Sequence, residues 1–339
     1  MTLIAVGCFF GWYNNKVVPI NSDTNARYVL DIHNHLSYLS NWDGPNYLRI
    51  ASKGYVSKSN ANFFPLYPLA IREVGRVISS PLDAAIFIAW ISFIGAVYFF
   101  LQILKHLFKI KDNSEALKGL MLFGLFPTAM FFIATYSESL FAFLALGAIY
   151  FTLKKKYTYA ALFLLFCGAT HITGIFVILL ISMMMWEEKE KIWKVLSMLV
   201  IGSLGLLAYT FYLWHRFRDP LGFILSQKHH GWLVSSYSDL VSQADLFNLI
   251  FIIFILMSIY YWWYRRRSFA IYSFLFLLIP LLGKQFGGFN RYVLMAFPVQ
   301  WMLYSYLKKR QLAYSIFLSF FAISWAYFIL QYAGGYVGG

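Results

Sequence analysis

Lys154-Lys155-Lys156 is followed by Tyr157-Thr158-Tyr159-Ala160-Ala161-Leu162-Phe163-Leu164-Leu165-Phe166-Cys167-Gly168-Ala169-Thr170-His171-Ile172-Thr173-Gly174-Ile175-Phe176-Val177-Ile178-Leu179-Leu180-Ile181-Ser182-Met183-Met184-Met185. A membrane-spanning helix needs roughly 20 apolar residues, and this run exceeds that without reaching two full spans. Crossing once, it would place Arg265-Arg266-Arg267 and Lys308-Lys309-Arg310 on the face opposite to the first basic triplet. Basic residues gather in cytoplasmic loops, so the run must cross twice or not at all. Its middle, Gly168, Thr170, His171, Thr173 and Gly174, supplies the break. The reading is two half-helices meeting near His171 at the outer side, which a membrane tolerates where the broken ends line a polar cavity.

The rest of the chain agrees with a membrane solvent. Its 339 residues are 60% apolar and 12% charged, about half the charged fraction of a soluble domain. A soluble globule, a disordered chain and a nucleic-acid-binding domain are excluded on that composition, despite a net charge of +14. Apolar runs fall at about 1–13, 84–104, 119–135, 140–153, 157–185, 195–214, 246–264, 268–282, 293–307 and 311–330. The predicted fold is therefore all-α and polytopic, with roughly ten or eleven membrane helices in one domain over 1–339. The run 1–13 is too short to span alone, and reads as a shortened first helix or a chain whose start lies upstream. Cys8 and Cys167 sit in apolar runs as small hydrophobes.

Counting the basic residues fixes the sidedness. The inner segments 105–118, 154–159, 186–194, 265–267 and 308–310 hold 16 Lys and Arg in 35 residues; the remaining 12 are spread over 124 outer residues. The outer face thus receives a first long loop, 14–83, a second, 215–245, the turns 136–139 and 283–292, and the tail 331–339. Asp112, Glu115, Glu187, Glu188 and Glu190 lie in inner loops beside lysines and read as solvated.

Among the outer carboxylates, Asp43 stands in Asn41-Trp42-Asp43-Gly44-Pro45-Asn46-Tyr47-Leu48-Arg49. An acid between Trp and Gly, with Arg49 about a helical turn away, can be partly desolvated beside a cation, as a general base requires. It is equally placed to cap a helix beginning at Pro45, and the two roles are compatible. Glu138, in Tyr136-Ser137-Glu138-Ser139 between two apolar runs, has no basic neighbour in sequence. It reads either as a functional carboxylate at membrane depth or as a helix-start charge. His171 marks the break and reads as structural or as a contact. Arg291 begins a helix at the outer side, suited to phosphate or to snorkelling. Asn62-Phe63-Phe64-Pro65-Leu66-Tyr67-Pro68 is an interfacial aromatic wedge, and Arg218–Trp232 adds cations, Gln227, two His and Trp232. No Gly-rich phosphate loop, zinc helix, nucleophile elbow or Asp-x-Asp clamp occurs. His229 and His230 are adjacent and point apart, so no metal or other cofactor is called for.

Taken together, Trp42-Asp43-Gly44, Tyr47-Leu48-Arg49-Ile50-Ala51, Gly54-Tyr55, Phe63-Phe64-Pro65-Leu66-Tyr67-Pro68, Phe126-Pro127, Tyr136-Ser137-Glu138-Ser139-Leu140-Phe141, Asp219-Pro220-Leu221-Gly222-Phe223 and Arg291-Tyr292 with Pro298 resemble the PIG-V family, in order, over about residues 40–330. The resemblance implies a GT-C-type glycosyltransferase that takes mannose or another hexose from a polyprenyl-phosphate donor at the outer or lumenal face. It implies Asp43, with Glu138, as the catalytic carboxylates, Asp43 being the base of an inverting displacement. Arg49 and Arg291 would stabilise the leaving phosphate. Trp42, Tyr67, Tyr136, Trp232 and Tyr292 would hold sugar and prenyl chain, with Gln227 and His171 as further contacts. The family usually has Arg where this chain has His171, which would make a phosphate contact there pH-dependent. The length suits a bacterial member, located in the cell membrane, with a glycolipid or cell-surface glycan acceptor other than a GPI anchor. A transporter or flippase for lipid-linked glycans is the alternative; it would scatter charges through the spans in matched halves.

Overall fold

The computed structural model describes residues 35–229, 245–283, 286 and 288–334. The run 1–13, Trp232 and His230 lie outside them. Among the described residues the chain is helical without strands: an all-α, polytopic membrane protein.

Among the described residues, four helices are long and apolar enough to cross a membrane: α3 (Pro81–Phe108), α8 (Ile192–Phe217), α10 (Leu246–Trp263) and α14 (Gln311–Gly334). The start of α3 shows why the sequence turns helical there. Ser80 accepts the Asp83 N–H at 3.2 Å, Pro81 presets the first turn, and Asp83 complements the dipole. These helices leave large apolar side chains uncovered, among them Ile94 at 64%, Val200 at 61% and Ile323 at 71% exposure. Water would not support that surface, whereas lipid does.

Shorter apolar helices fill the interior: α5 (Glu138–Leu153), α6 (Tyr157–Gly168), α7 (Gly174–Glu187) and α11 (Arg267–Gly283). The broken run behaves as its sequence implies. α6 stops at Gly168, residues 169–173 turn, and α7 begins at Gly174, where a Cβ would fall 2.8 Å from the Cys167 carbonyl oxygen. Only glycine allows the two half-helices to close so tightly. At roughly 1.5 Å per residue, such helices are shorter than the hydrocarbon layer, and the two ends that meet at the break, Gly168 and Gly174, are buried in protein.

Two other apolar runs differ from their expectation as single spans. The run 119–135 divides: α4 (Asn113–Gly124) ends, and a 3-10 turn covers Ala129–Phe132. The run 293–307 divides into α12 (Phe289–Val293) and α13 (Phe297–Leu307). Pro127 and Pro298 each lack an N–H and disfavour helix at the preceding residue. Hydropathy counts such a segment as continuous; proline does not. Full-length spans are accordingly fewer than the apolar runs.

The basic loops gather at one end, as the charge count requires. Arg266 pairs with Glu188 and lies 3.6 Å from Glu187, Lys194 lies 2.8 Å from Glu190, and Lys308 lies 3.8 Å from Glu115. These carboxylates are thus more than solvated: Glu187 also accepts the Ser268 N–H at 2.6 Å, capping α11, and Tyr304 donates to Glu115 at 2.9 Å.

At the opposite end the first long loop is itself structured. It contains a 3-10 turn at His35–Leu39, the helix α1 (Gly44–Lys53), a second 3-10 turn at Lys58–Asn62, and the helix α2 (Leu66–Ile78). Both helices bury one face, Tyr47, Leu48, Ile50 and Ala51 in α1 and Tyr67, Pro68 and Ile71 in α2; α1 exposes Ser52 and Lys53, and α2 exposes Glu73 and Arg76 beside Leu69, Val77 and Ile78. The Leu66 N–H donates to the Ala169 carbonyl at 3.0 Å, so the helix break anchors α2. The second long loop contributes α9 (Gly222–His229), whose Phe223 packs on Phe64 at 5.7 Å.

Candidate active site

The site is built where the first loop, the turn before α5 and the short α12 converge. Asp43 occupies the N-cap position of α1. Its backbone carbonyl accepts the Asn46 and Tyr47 N–H groups at 3.0 and 3.3 Å, yet its side chain makes no capping bond. The carboxylate turns away because Arg291 holds it: Arg291 Nη1 donates to Asp43 Oδ2 at 2.5 Å. On its other side Arg291 Nε lies 3.0 Å from Glu138 Oε1, an ion-pair contact without hydrogen-bond alignment. One guanidinium therefore bridges two carboxylates that are 95 residues apart in sequence. Exposures are 14% for the Asp43 side chain, 10% for Arg291 and 1% for Glu138, so the cluster is nearly dry and Asp43 is its most open member. The second Glu138 oxygen, Oε2, is buried without a hydrogen-bond partner.

Local backbone sets this geometry. Trp42 adopts φ 59°, a left-handed conformation that costs an L-residue about 1–2 kcal/mol, and this bend delivers Asp43 toward Arg291. Gly44 follows because there is no room for anything larger: a Cβ would fall 2.3 Å from Thr135 Oγ1 and 2.6 Å from Ser40 Oγ. Tyr136 is fully buried, accepts the Asp43 N–H at 3.2 Å, and places its ring 5.2 Å from the Arg291 guanidinium. Tyr292 lies 5.5 Å from the same group. Burial alone would lower the pKa of Arg291; Glu138 and then Asp43 outweigh it and hold the guanidinium charged, above its ordinary value.

Other anticipated residues take distinct places. Arg49 lies on α1, but the ion-pair partner of Asp43 is Arg291, across 248 residues of sequence. Helical periodicity explains this: Arg49 stands on a later turn, whereas α12 is pressed against the N-terminal end of α1's capping residue. Tyr67 is completely buried and donates to the Ala85 carbonyl at 3.1 Å, with its ring edge-on to Tyr47 at 5.0 Å; it supports the site from behind. Trp42 keeps partial exposure, and its Nε1 is buried without a partner. Gln227 lies within α9.

His171 joins the site through Tyr292, the rings packing edge-on at 5.6 Å. Its Nδ1 accepts the Thr173 N–H at 3.2 Å, which leaves the neutral ring's proton on Nε2. Burial, assisted by the positive charge of Arg291, pushes its pKa down to about 3. In the neutral form the ring has Nε2–H as the donor it can offer at this position.

Three contributors carried no individual signal in the sequence. Tyr47 hydrogen-bonds Ser137 at 2.9 Å, and burial, with Glu138 and Asp43 nearby, raises its pKa well above the usual tyrosine value. Asn41 donates to the Tyr332 carbonyl at 2.8 Å, and the Tyr332 hydroxyl donates to the Asn41 carbonyl at 2.9 Å. This reciprocal pair clasps α14 onto the first loop. Tyr47 stands inside the Asp43 segment and was findable there; Tyr332 was not. Among the described residues no group of three or more His, Cys, Asp or Glu side chains assembles.

Comparison with known proteins bears on this arrangement. Residues 15–229 match the family model described as mannosyltransferase (PIG-V). GPI mannosyltransferase 2 of Drosophila melanogaster is 29% identical over 140 residues, covering 38% of this chain and 31% of that protein. GPI alpha-1,6-mannosyltransferase 2 of Cricetulus griseus is 32% identical over 124 residues, covering 34% and 25%, and the Homo sapiens protein of that name is 31% identical over 123 residues. The matched segments span about a quarter to a third of these relatives' lengths. Asp43, Glu138 and His171 lie within the family match, and Arg291 lies beyond it.

Proposed function

The chain belongs to the PIG-V mannosyltransferase family, and from that premise we propose that it transfers mannose, or another hexose, from a polyprenyl-phosphate sugar to a glycolipid or glycan acceptor. The observation that carries the reading is the Asp43–Arg291–Glu138 cluster, which draws together three separate sequence motifs at one end of the helical bundle. In an inverting displacement the acceptor oxygen attacks the anomeric carbon. The bond from that carbon to the phosphate oxygen breaks, and its electron pair leaves with the lipid phosphate. The acceptor proton passes to Asp43, the more open carboxylate.

Arg291 serves both ends of this step. It holds Asp43 in the resting site, and its guanidinium is the group best placed to meet a phosphate whose charge grows as the bond breaks. When it turns toward the phosphate, Asp43 Oδ2 is released from the guanidinium and is free to take the acceptor proton. Glu138 keeps the arginine charged and anchored throughout. A lipid-linked donor presents its phosphate at the membrane surface, so the reading calls for no nucleotide pocket and no diphosphate-binding metal. The basic loops gather at the end away from the site, and by the positive-inside rule this supports chemistry on the outer or lumenal face.

The test is transfer by purified full-length chain, supplied with radiolabelled polyprenyl-phosphate mannose and a membrane lipid extract. Label is expected in a new glycolipid, and Asp43→Asn is expected to abolish it while leaving the melting temperature within a few degrees. Full activity in Asp43→Asn would remove Asp43 as the base; no label with any hexosyl donor would remove the function.

A further inference from the structure

α1 carries Asp43 at its N-terminal end, and a second arginine holds the end opposite. The last carbonyls of a helix lack intrahelical partners. Two of those in α1 are met from α2: Arg72 Nε donates to the Ala51 carbonyl at 2.7 Å, and Nη2 donates to the Ile50 carbonyl at 3.2 Å. The Ile50 carbonyl also accepts the Gly54 N–H at 2.8 Å, where the chain leaves the helix at φ 73°. A cation at this end complements the helix dipole. Arg72 makes no ion pair with a carboxylate among the described residues, so its charge is committed to α1. Its mounting is firm. The Leu66 N–H bonds the Ala169 carbonyl at 3.0 Å, the Tyr67 hydroxyl donates to the Ala85 carbonyl at 3.1 Å, and the neighbouring Ile71 is fully buried.

α1 has ten residues, too few to be stable on helix propensity alone, and its place is set by contacts along its length. Arg291 holds the Asp43 carboxylate at one end. Near the middle, the Tyr47 hydroxyl hydrogen-bonds the Ser137 hydroxyl at 2.9 Å. Arg72 holds the far end. Tyr47 stands four residues from Asp43 and four from Ala51, about 6 Å on either side at the helical rise. A helix pinned at its midpoint pivots there, so a shift at Ala51 returns at Asp43 in the opposite sense and at about the same size.

This lever matters at one moment of the reaction. While Arg291 grips Asp43, the N-terminal end is fixed and the far-end contact is redundant. When the guanidinium turns to the phosphate, that end keeps the Tyr136 hydroxyl on the Asp43 N–H, at 3.2 Å, and the pivot is restrained from Arg72. We propose that Arg72 is a positioning residue: it locks α1 from its far end, so that Asp43 stays aligned with the acceptor hydroxyl after Arg291 lets go. The inference rests on the glycosyltransferase reading above. Its size follows from the lever, since misplacing a reacting group by about 1 Å can cost about 100-fold in rate.

The test uses full-length chain in detergent and begins with Arg72→Gln. Its kcat is expected to fall by about ten-fold or more, with KM for donor and for lipid extract unchanged. The melting temperature should stay within about 2 °C of the wild type, the size of one charge–dipole contact. Arg72→Lys, whose ammonium can still donate to a terminal carbonyl, should recover part of the lost kcat. Arg76→Gln, which removes an exposed pair on the same helix, should leave kcat unchanged. A second measurement separates positioning from simple capping: hydrogen exchange of the α1 peptide with and without polyprenyl phosphate, the product lipid that draws Arg291 from Asp43. Wild-type α1 should be protected in both conditions. In Arg72→Gln it should be protected without the lipid and exchange faster once the lipid is added. If Arg72→Gln does not fold, Arg72→Lys carries both measurements, with a smaller loss of kcat expected. Equal deprotection with and without the lipid would reduce Arg72 to a helix cap and overturn the proposal, as would an unchanged kcat. A raised KM at unchanged kcat would make Arg72 a substrate contact and overturn it too. Transfer by the wild type that Arg72→Gln matches sinks this inference alone, whereas a wild type that transfers no hexose sinks the functional reading.

Discussion

Replacing Arg291 with methionine removes the cation that pairs with both carboxylates while keeping most of the side chain's length. Glu138 is 1% exposed and has no route to water, and Asp43 at 14% can recover only part of its hydration. Breaking a buried ion pair from one side costs about 3–5 kcal/mol, and here both carboxylates are orphaned by one change. For a chain of this size each kcal/mol corresponds to about 2 °C or slightly less, so an apparent melting temperature lower by about 6–8 °C is expected. Intrinsic fluorescence in detergent, rich in tryptophan signal, is a suitable readout. The decisive comparison is the triple variant Arg291→Met, Asp43→Asn, Glu138→Gln. If the loss comes from uncompensated charge, neutralising both acids should restore most of the stability, although transfer stays abolished. Arg76→Gln, which removes an exposed pair with Glu73, serves as the control and should shift nothing measurable. A single Arg291→Met variant that melts like the control, or a triple variant no more stable than the single one, would refute the electrostatic account of the site.

Gly44→Ala introduces a methyl group 2.3 Å from Thr135 Oγ1 and 2.6 Å from Ser40 Oγ. Overpacking of this kind costs about 1–3 kcal/mol, and because Asp43 is the adjacent residue, kcat should fall more than the melting temperature alone explains; unchanged kcat would mean that the first loop tolerates the shift. His171 gives a pH dependence with a definite sign. Its folded pKa of about 3 lies below the unfolded value, so the unfolded chain binds more protons between about pH 3 and 6.5. Stability is full above that window and declines as pH falls through it, by at most about 1.4 kcal/mol per pH unit. His171→Gln should flatten this part of a melting-temperature profile, and an unchanged slope would show that the acid sensitivity originates elsewhere.

The sequence conveyed more of the architecture than of the site. Three basic triplets and one overlong apolar run were enough to demand a break between Gly168 and Gly174, because the charge rule and helix length admit few alternatives. Hydropathy was less informative at Pro127 and Pro298, where apolar composition continues through a backbone that cannot. Within the site, Asp43 and Glu138 stood out because acids are scarce on the outer side of this chain. Arg49 is the nearest cation along the helix, whereas the ion pair at 2.5 Å joins Asp43 to Arg291, 248 residues away.

What the sequence determined by itself is the solvent, the helical class, the grouping of the basic loops and the identity of the acids worth testing. All of these depend on composition and on periodicities shorter than about twenty residues. The tertiary structure alone decided that one guanidinium serves two carboxylates, that His171 packs on Tyr292, and that Tyr332 fastens the last helix to the first loop. Those features are set by contacts between segments up to 291 residues apart, at distances of about 3 Å. At that range, burial and pairing control charge, and neither is written in local sequence.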